Sequence, residues 1–435
     1  MSAGLASLRR LLSRSEVQRL LRGGAWSLVG GVGSRLLMLL LTMLLVQFLG
    51  PSDFARFAVV QSTVLTALVF AGYGSGLAAT RYASLLRATD PERLARVLGV
   101  LRLTTVLTSI AVLLCVAGGS RFLAEIALGD AGFQPLILLA SVAVLFGALD
   151  AFQAGALVGL EEMRASAISM LVGAGLGMPV TLVLASQFGA LGAVGGLVAG
   201  YALQAVASGL LLRRECARRS IRVCMQGGWS ELRELAAFTG PSMLSGLMVA
   251  PTHWLVQASL LRSAPDGLQV TVLAVAMQWF HVVCFVPQAA GRVILPVLSD
   301  MRARGDSSAA ISMLRSVVVA YAVVVIPAVS GVVLASTPLI GLYGEALASE
   351  GAALAVVAIA AALASLCVPV GHAIVAEGRI WLSLFANLLW ATVFLAGATM
   401  ALDTGAYGVG LALLTAYALL FLVSMGILRV SLRAR

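Results

Sequence analysis

"GGVGSRLLMLLLTMLL", residues 30–45, sets an arginine, Arg35, one third of the way into an apolar run. The run begins near Ala25 and breaks only at "LGPSDF", 49–54. About 20 mostly apolar residues cross the hydrocarbon of a bilayer, so this stretch predicts a transmembrane helix. An arginine inside such a helix costs at least ~2.5–3.5 kcal/mol on insertion scales. A helix that keeps one has a partner or a task for it.

The rest of the chain has the same character. Apolar residues make up 60% and charged residues 11%, where soluble domains carry about a quarter charged. This composition predicts a membrane protein. All 29 basic residues are arginine, and the net charge is +10. They sit in short segments between apolar runs, which argues against nucleic acid as a partner. The five cysteines, Cys115, Cys216, Cys224, Cys284 and Cys367, show no zinc-ligand or redox spacing. The three histidines, His253, His281 and His372, show no ligand spacing either, so no metal and no cofactor is expected.

Twelve spans follow from the hydropathy: 25–49, 55–79, 98–118, 134–158, 165–187, 190–212, 235–260, 268–291, 311–335, 350–374, 380–402 and 405–428. Gly, Pro and Asp mark turns between them, as in "GPSD", "TDPE" and "SAPDG". Residues 1–24 carry leucines at helical spacing between arginines and predict an amphipathic helix on the cytoplasmic membrane surface. With that end cytoplasmic, the same side holds 25 arginines against 11 acids, and the far side holds three arginines against seven acids. Excess arginine marks cytoplasmic loops, so both termini are expected there.

The second half echoes the first. "LVQ" at 45–47 recurs at 255–257, "EMR" at 162–164 answers "EGR" at 377–379, and "GALG" at 189–192 answers "GAYG" at 405–408. The offset drifts only from 210 to 216. Six spans per half give parallel repeats. The expected fold is therefore an all-α integral membrane protein with two six-helix bundles, 25–212 and 235–435, around a central cleft. A cytoplasmic linker loop, 213–234, joins them.

Polar stripes nominate the residues that line the cleft. In span 8, Gln278, His281, Phe285, Gln288 and Arg292 fall at i, i+3, i+7, i+10 and i+14, one helix face. Interhelical hydrogen bonds, worth about 0.6 kcal/mol each, are the plainer explanation. An arginine and a histidine sharing the stripe favour a cavity lining. Span 7 repeats the arrangement with Ser242, Ser245, His253 and Gln257, and span 1 with Ser27, Gly31, Arg35 and Thr42. Prolines crowd the second half, from Pro241 to Pro369, as harmless kinks or as hinges. Arg35 and Asp150 are the two charges deep within spans. They lie roughly 15 and 14 Å from the cytoplasmic ends of spans 1 and 4 at 1.5 Å per residue, so pairing between them is expected.

"FLGPSDFARFA" at 48–58, "TGPSMLSGLMVAPTHW" at 239–254 and "AMQWFHVVCFVPQAAGRVILPVLSD" at 276–300 resemble bacterial polysaccharide flippases. These form the O-antigen flippase branch of the multidrug/oligosaccharidyl-lipid/polysaccharide exporter superfamily, and the resemblance covers nearly the whole chain. It implies a carrier that turns undecaprenyl-pyrophosphate-linked oligosaccharide from the cytoplasmic to the periplasmic leaflet of the inner membrane. Membrane lipids and a polysaccharide polymerase machinery are its implied partners. By their place in the chain, Arg35 and Arg292 match arginines thought to meet the pyrophosphate in relatives, and Arg81 does so more loosely. The alternative is a cation-coupled multidrug exporter of the same superfamily, which would use membrane carboxylates. Asp150 is the one candidate. A membrane enzyme would need a large catalytic external loop, and the external connections are too short for one.

Overall fold

All regular structure among the described residues is helical, as a chain that must satisfy its backbone inside lipid requires. The computed structural model describes residues 14–221, 223, 231–303, 307–376 and 380–433. Its side chains are described from Gly24 onward, except at 73, 232–233, 236–246, 292–303, 307–311, 375–376, 380 and 429–433. Most of the expected surface helix at 1–24 lies outside this set, as do linker residues 222 and 224–230, the "EGR" at 377–379, and the side chains of Ser242, Ser245 and Arg292.

Eleven long helices are described: α1 (Arg14–Ala71), α2 (Tyr73–Leu86), α3 (Pro91–Gly118), α4 (Gln134–Gly159), α5 (Met163–Arg218), α6 (Leu232–Ser263), α7 (Leu268–Ala303), α8 (Ser307–Leu334), α9 (Gly351–Ala376), α10 (Ile380–Met400) and α11 (Gly405–Arg433). Nine of these are long and apolar enough to cross a membrane. Two of the nine are too long for one crossing. The apolar part of α1, Gly24–Ala71, has 48 residues and would reach about 72 Å against ~30 Å of hydrocarbon. It breaks at Gly50 (φ 72°, ψ 172°), and α5 breaks at Gly189 (φ 57°, ψ −137°). Each is two spans joined by one non-helical glycine. The "GPSD" stretch, expected as a turn, is this break with the helix resuming at once after it. With both limbs of α1 and α5 and with α6, the twelve expected spans are present.

The same backbone device marks the duplication. The six glycines with positive φ among the described residues are Gly50, Gly129, Gly189, Gly267, Gly344 and Gly405. They fall into three pairs, 50/267, 129/344 and 189/405, at offsets of 217, 215 and 216. The 189/405 pair agrees in both angles, since Gly405 has φ 64° and ψ −148°. The turn geometry thus repeats with the period that the side chains only suggested.

The chain forms two compact units, one ending at Trp254 and one starting at Leu255. In the first, α2 and α4 meet through small residues. A Cβ on Gly155 would stand 2.2 Å from the Gly76 carbonyl oxygen, so glycine is required there. That approach lets Thr80 donate to the Gly155 carbonyl at 2.9 Å. Leu94, Leu98, Leu101, Phe152, Leu157 and Leu160 fill the core beside it. Nearer the helix ends, Arg164 lies 5.2 Å over the Trp26 ring, and Asp90 caps α3 by accepting from the Arg93 backbone N–H at 2.8 Å.

The start of α6 is clamped to α2 and α3. Arg93 donates from Nε and Nη2 to the buried Glu231 at 2.8–3.1 Å and from Nη2 to Glu234 at 2.7 Å. Tyr82 donates to Glu234 at 2.9 Å. Burial, then the hydrogen bond and the charge of Glu234, push the Tyr82 hydroxyl above its ordinary range. Further along α6, Trp254 donates to Thr63 of α1 at 2.8 Å.

In the second unit, aromatic rings join α7, α10 and α11. Trp390 lies 5.6 Å from Phe394 and 5.3 Å from Tyr417, which lies 5.7 Å from Phe280. Tyr321 of α8 donates to the Pro287 carbonyl of α7 at 2.7 Å. Elsewhere in this unit, Gln269 ties three segments together. It donates to Glu350 at 3.0 Å and accepts from the Ala406 N–H at 2.8 Å. Large apolar side chains within the helices stand exposed, among them Leu107, Val323 and Leu422, as membrane-spanning helices require.

Candidate functional site

Arg35 sits on the first limb of α1, half-buried, with Nη1 donating to the Gly31 carbonyl at 3.1 Å. Ser34 shares that acceptor at 3.2 Å. The limb is held close to α5 by its glycines, since a Cβ on Gly30 would stand 2.7 Å from Ala167 and one on Gly33 2.8 Å from Leu171. Arg81 lies exposed on α2.

Asp150 is not the partner of Arg35 in this structure. Its carboxylate accepts from Gln204 Nε2 at 2.8 Å and from Ser208 Oγ at 2.7 Å, both on the second limb of α5. Ser208 also lies 3.2 Å from Gln153 Oε1, one turn along α4 from Asp150. The expected pairing rested on equal depth, and depth fixes only one coordinate. The face of α4 that bears Asp150 looks toward α5. Gln153, Gln204 and Ser208 were not singled out in the sequence. Their signal was available, since Asp150/Gln153 and Gln204/Ser208 are i, i+3 and i, i+4 polar pairs within apolar spans.

The stripe on α7 emerges from the packed body of its own unit. His281 and Gln288 are exposed and Phe285 half-buried, while Phe280, Val283, Cys284 and Pro287 face inward. Gln278 is half-buried, and its Oε1 is sealed from solvent with no hydrogen-bond partner. Gln257, on the part of α6 in the same unit, shows the same condition. His253, half-buried, belongs to the part of α6 in the first unit. A Cβ on Gly291 would stand 2.6 Å from His372 Cε1, so the third histidine packs between α7 and α9. Among the described residues, no group of three or more His, Cys, Asp or Glu is placed to hold a metal.

The helices, in their two repeats, have the fold of the MATE and MurJ transporters. A multidrug resistance MATE family transporter of the multidrug/oligosaccharidyl-lipid/polysaccharide (MOP) superfamily, in an inward-facing conformation, matches with a TM-score of 0.80 at 14% identity, over 94% of this chain and 98% of that one. The lipid II flippase MurJ in an inward closed conformation matches with a TM-score of 0.72 at 14% identity, over 93% and 87%. Such low identities establish the fold alone. Residues 20–302 match the polysaccharide biosynthesis protein family, and the chain belongs to it. A relative at 28% identity, covering 90% of this chain and 89% of its own length, is the EPS I polysaccharide export inner membrane protein EpsE of Ralstonia nicotianae. The chain is a transporter and not an enzyme.

Proposed function

We propose that this chain is a flippase of the bacterial inner membrane. It moves undecaprenyl-pyrophosphate-linked oligosaccharide units from the cytoplasmic to the periplasmic leaflet by alternating access, and so supplies surface polysaccharide or O-antigen assembly. The observation that carries the reading is membership of the polysaccharide biosynthesis family together with an arginine deep in the first span. A guanidinium offers paired N–H donors to phosphate oxygens, and the headgroup to be moved is a pyrophosphate. The polysaccharide export relative supports the direction of transport. Arg292, Arg81 and the amides Gln257, Gln278 and Gln288 are the further groups assigned to the headgroup and its sugars, with His253 and His281 beside them. Both termini and the 213–234 loop lie in the cytoplasm on this reading, and a polysaccharide polymerase receives the product.

The test is deletion of the gene and complementation with wild type or Arg35→Ala. Wild type should restore surface polysaccharide. Arg35→Ala should accumulate in the membrane yet leave the lipid-linked glycan in the cytoplasmic leaflet. Full export by Arg35→Ala refutes the reading. Unchanged polysaccharide in the deletion strain, with new sensitivity to cationic drugs, would establish the multidrug exporter instead.

A further inference from the structure

α3 has 28 residues, Pro91–Gly118, and reaches about 42 Å against ~30 Å of hydrocarbon, so its two ends stand at the two membrane surfaces. Its outward stripe, Leu107, Ile110 and Leu114, is exposed along the span. A straight continuation past Gly118 would carry that stripe into water. The chain bends instead. Gly119 has ψ 1°, far from the helical value of about −42°. Beyond the bend come an α-helical turn, Ser120–Phe122, and a π-helical turn, Leu123–Leu128, closed by Gly129 at φ 80°.

This short segment sorts into three rows, each at i, i+4 spacing. Ser120, Ala124 and Leu128 are buried, on the side where the segment meets α4. Arg121 and Glu125 pair at 2.9 Å and stay exposed. Phe122 and Ile126 are 60% and 59% exposed. A large apolar row beside a charged row is the pattern of a helix lying in a lipid interface. The apolar row also continues the stripe of α3 at the same spacing, from Leu114 through Gly118 to Phe122 and Ile126. Whatever covers Leu114 is therefore in line to cover them. The second repeat does not carry the pattern. At the offset of 215 set by Gly129 and Gly344, Thr337 and Gly341 stand where Phe122 and Ile126 do, and the buried Ser336 and Ile340 replace the charged pair.

We propose that residues 120–128 form a lipid-binding foot of the first unit. The foot lies in the headgroup layer of the membrane surface at which α3 ends, and it holds the unit at a fixed depth. Phe122 and Ile126 enter the upper acyl chains. Arg121 gives one N–H to Glu125 and keeps others for lipid phosphate. On the topology read from the arginine bias, that surface is the periplasmic one. The inference concerns the lipid around the protein and is independent of the cargo.

The test uses full-length, cysteine-free protein in phospholipid vesicles, carrying Phe122→Cys, Glu125→Cys or Ile126→Cys with a nitroxide label. Labels at 122 and 126 should be relaxed by oxygen, which concentrates in lipid, and shielded from a water-soluble nickel chelate. The label at 125 should show the reverse. Nickel access at 122 and 126 equal to that at 125 overturns the proposal, because the segment then stands in water. Shielding of both from oxygen and nickel alike means that protein covers them, and lipid is then the wrong occupant. Should the labelled proteins fail to accumulate, the fluorescence of Phe122→Trp minus wild type serves. Lipids brominated near the headgroup should quench it more than lipids brominated at the chain ends, and quenching by aqueous iodide alone refutes the lipid contact. Anchoring is read from a label at Leu114→Cys in the Phe122→Ser/Ile126→Ser background. Its nickel access should rise, and an unchanged value overturns the fixed depth.

Discussion

Alanine at Gly405 should destabilise the protein more than alanine at Gly189, although the two positions repeat one another. Both glycines occupy nearly the same backbone region, φ about +60° with strongly negative ψ, which side chains avoid at a cost on the order of 1–3 kcal/mol. That penalty is common to both substitutions and cancels in the comparison. Space does not cancel. At 189 the new Cβ would meet Asp53 Oδ2 at 3.5 Å, an ordinary contact. At 405 it would stand 2.2 Å from Gln269 Oε1. That side chain must swing away and give up its bond to the Ala406 N–H. One such bond contributes about 0.5–1.5 kcal/mol, and the Ala406 donor left behind adds to the loss. Gly405→Ala should therefore be about 1–2 kcal/mol less stable than Gly189→Ala. Equilibrium unfolding in mixed micelles of the purified variants, followed by tryptophan fluorescence, measures the difference. Equal losses would show that Gln269 does not hold this turn, and a larger loss at 189 would reverse the argument.

Sidedness is checked with a cysteine-free protein carrying single cysteines at Ser220 or Ser263. The first should react with an impermeant reagent only from the cytoplasm and the second only from the periplasm, and labelling of both from one side refutes the topology. Arg292→Ala should abolish glycan export without loss of protein, and Arg292→Lys should restore part of it, because a point charge keeps the attraction but loses the two-pronged grip. Tyr82 gives a pH effect of definite sign. Its folded-state pKa is raised above the ordinary value of 10, so its contribution is complete below that pH and fades as pH rises through the folded value. Wild type should lose more stability than Tyr82→Phe on alkaline titration, and parallel losses would remove Tyr82 from the clamp.

The spans were legible in the sequence because hydrocarbon imposes one length and one chemistry on every crossing. The duplication was legible only faintly, in fragments such as "LVQ" and "GALG", because side chains that face lipid exchange freely. Backbone angles at Gly189 and Gly405 have no such freedom, and there the repeat is plain. The partners of Asp150 were beyond reach for a geometric reason. Periodicity states which face of α4 carries the acid but not which helix that face meets. Gln204 and Ser208 lie more than fifty residues away along the chain. The stripe on α7 was readable as a stripe. Its emergence from its own unit needed the packing of Phe280, Val283 and Cys284 on the other side.

The clamp made by Arg93, Tyr82, Glu231 and Glu234 has a consequence for a severed chain. By sequence, α6 opens the second half, yet its first turn is gripped by α2 and α3, and Trp254 holds it again at Thr63. A protease cut, or a gene split, between residues 224 and 230 would therefore release no fragment. The carboxyl-terminal piece would begin with a helix already docked on the amino-terminal piece. Two polypeptides made separately have a ready means of finding each other in the membrane, so the covalent link between the halves is dispensable for holding them together.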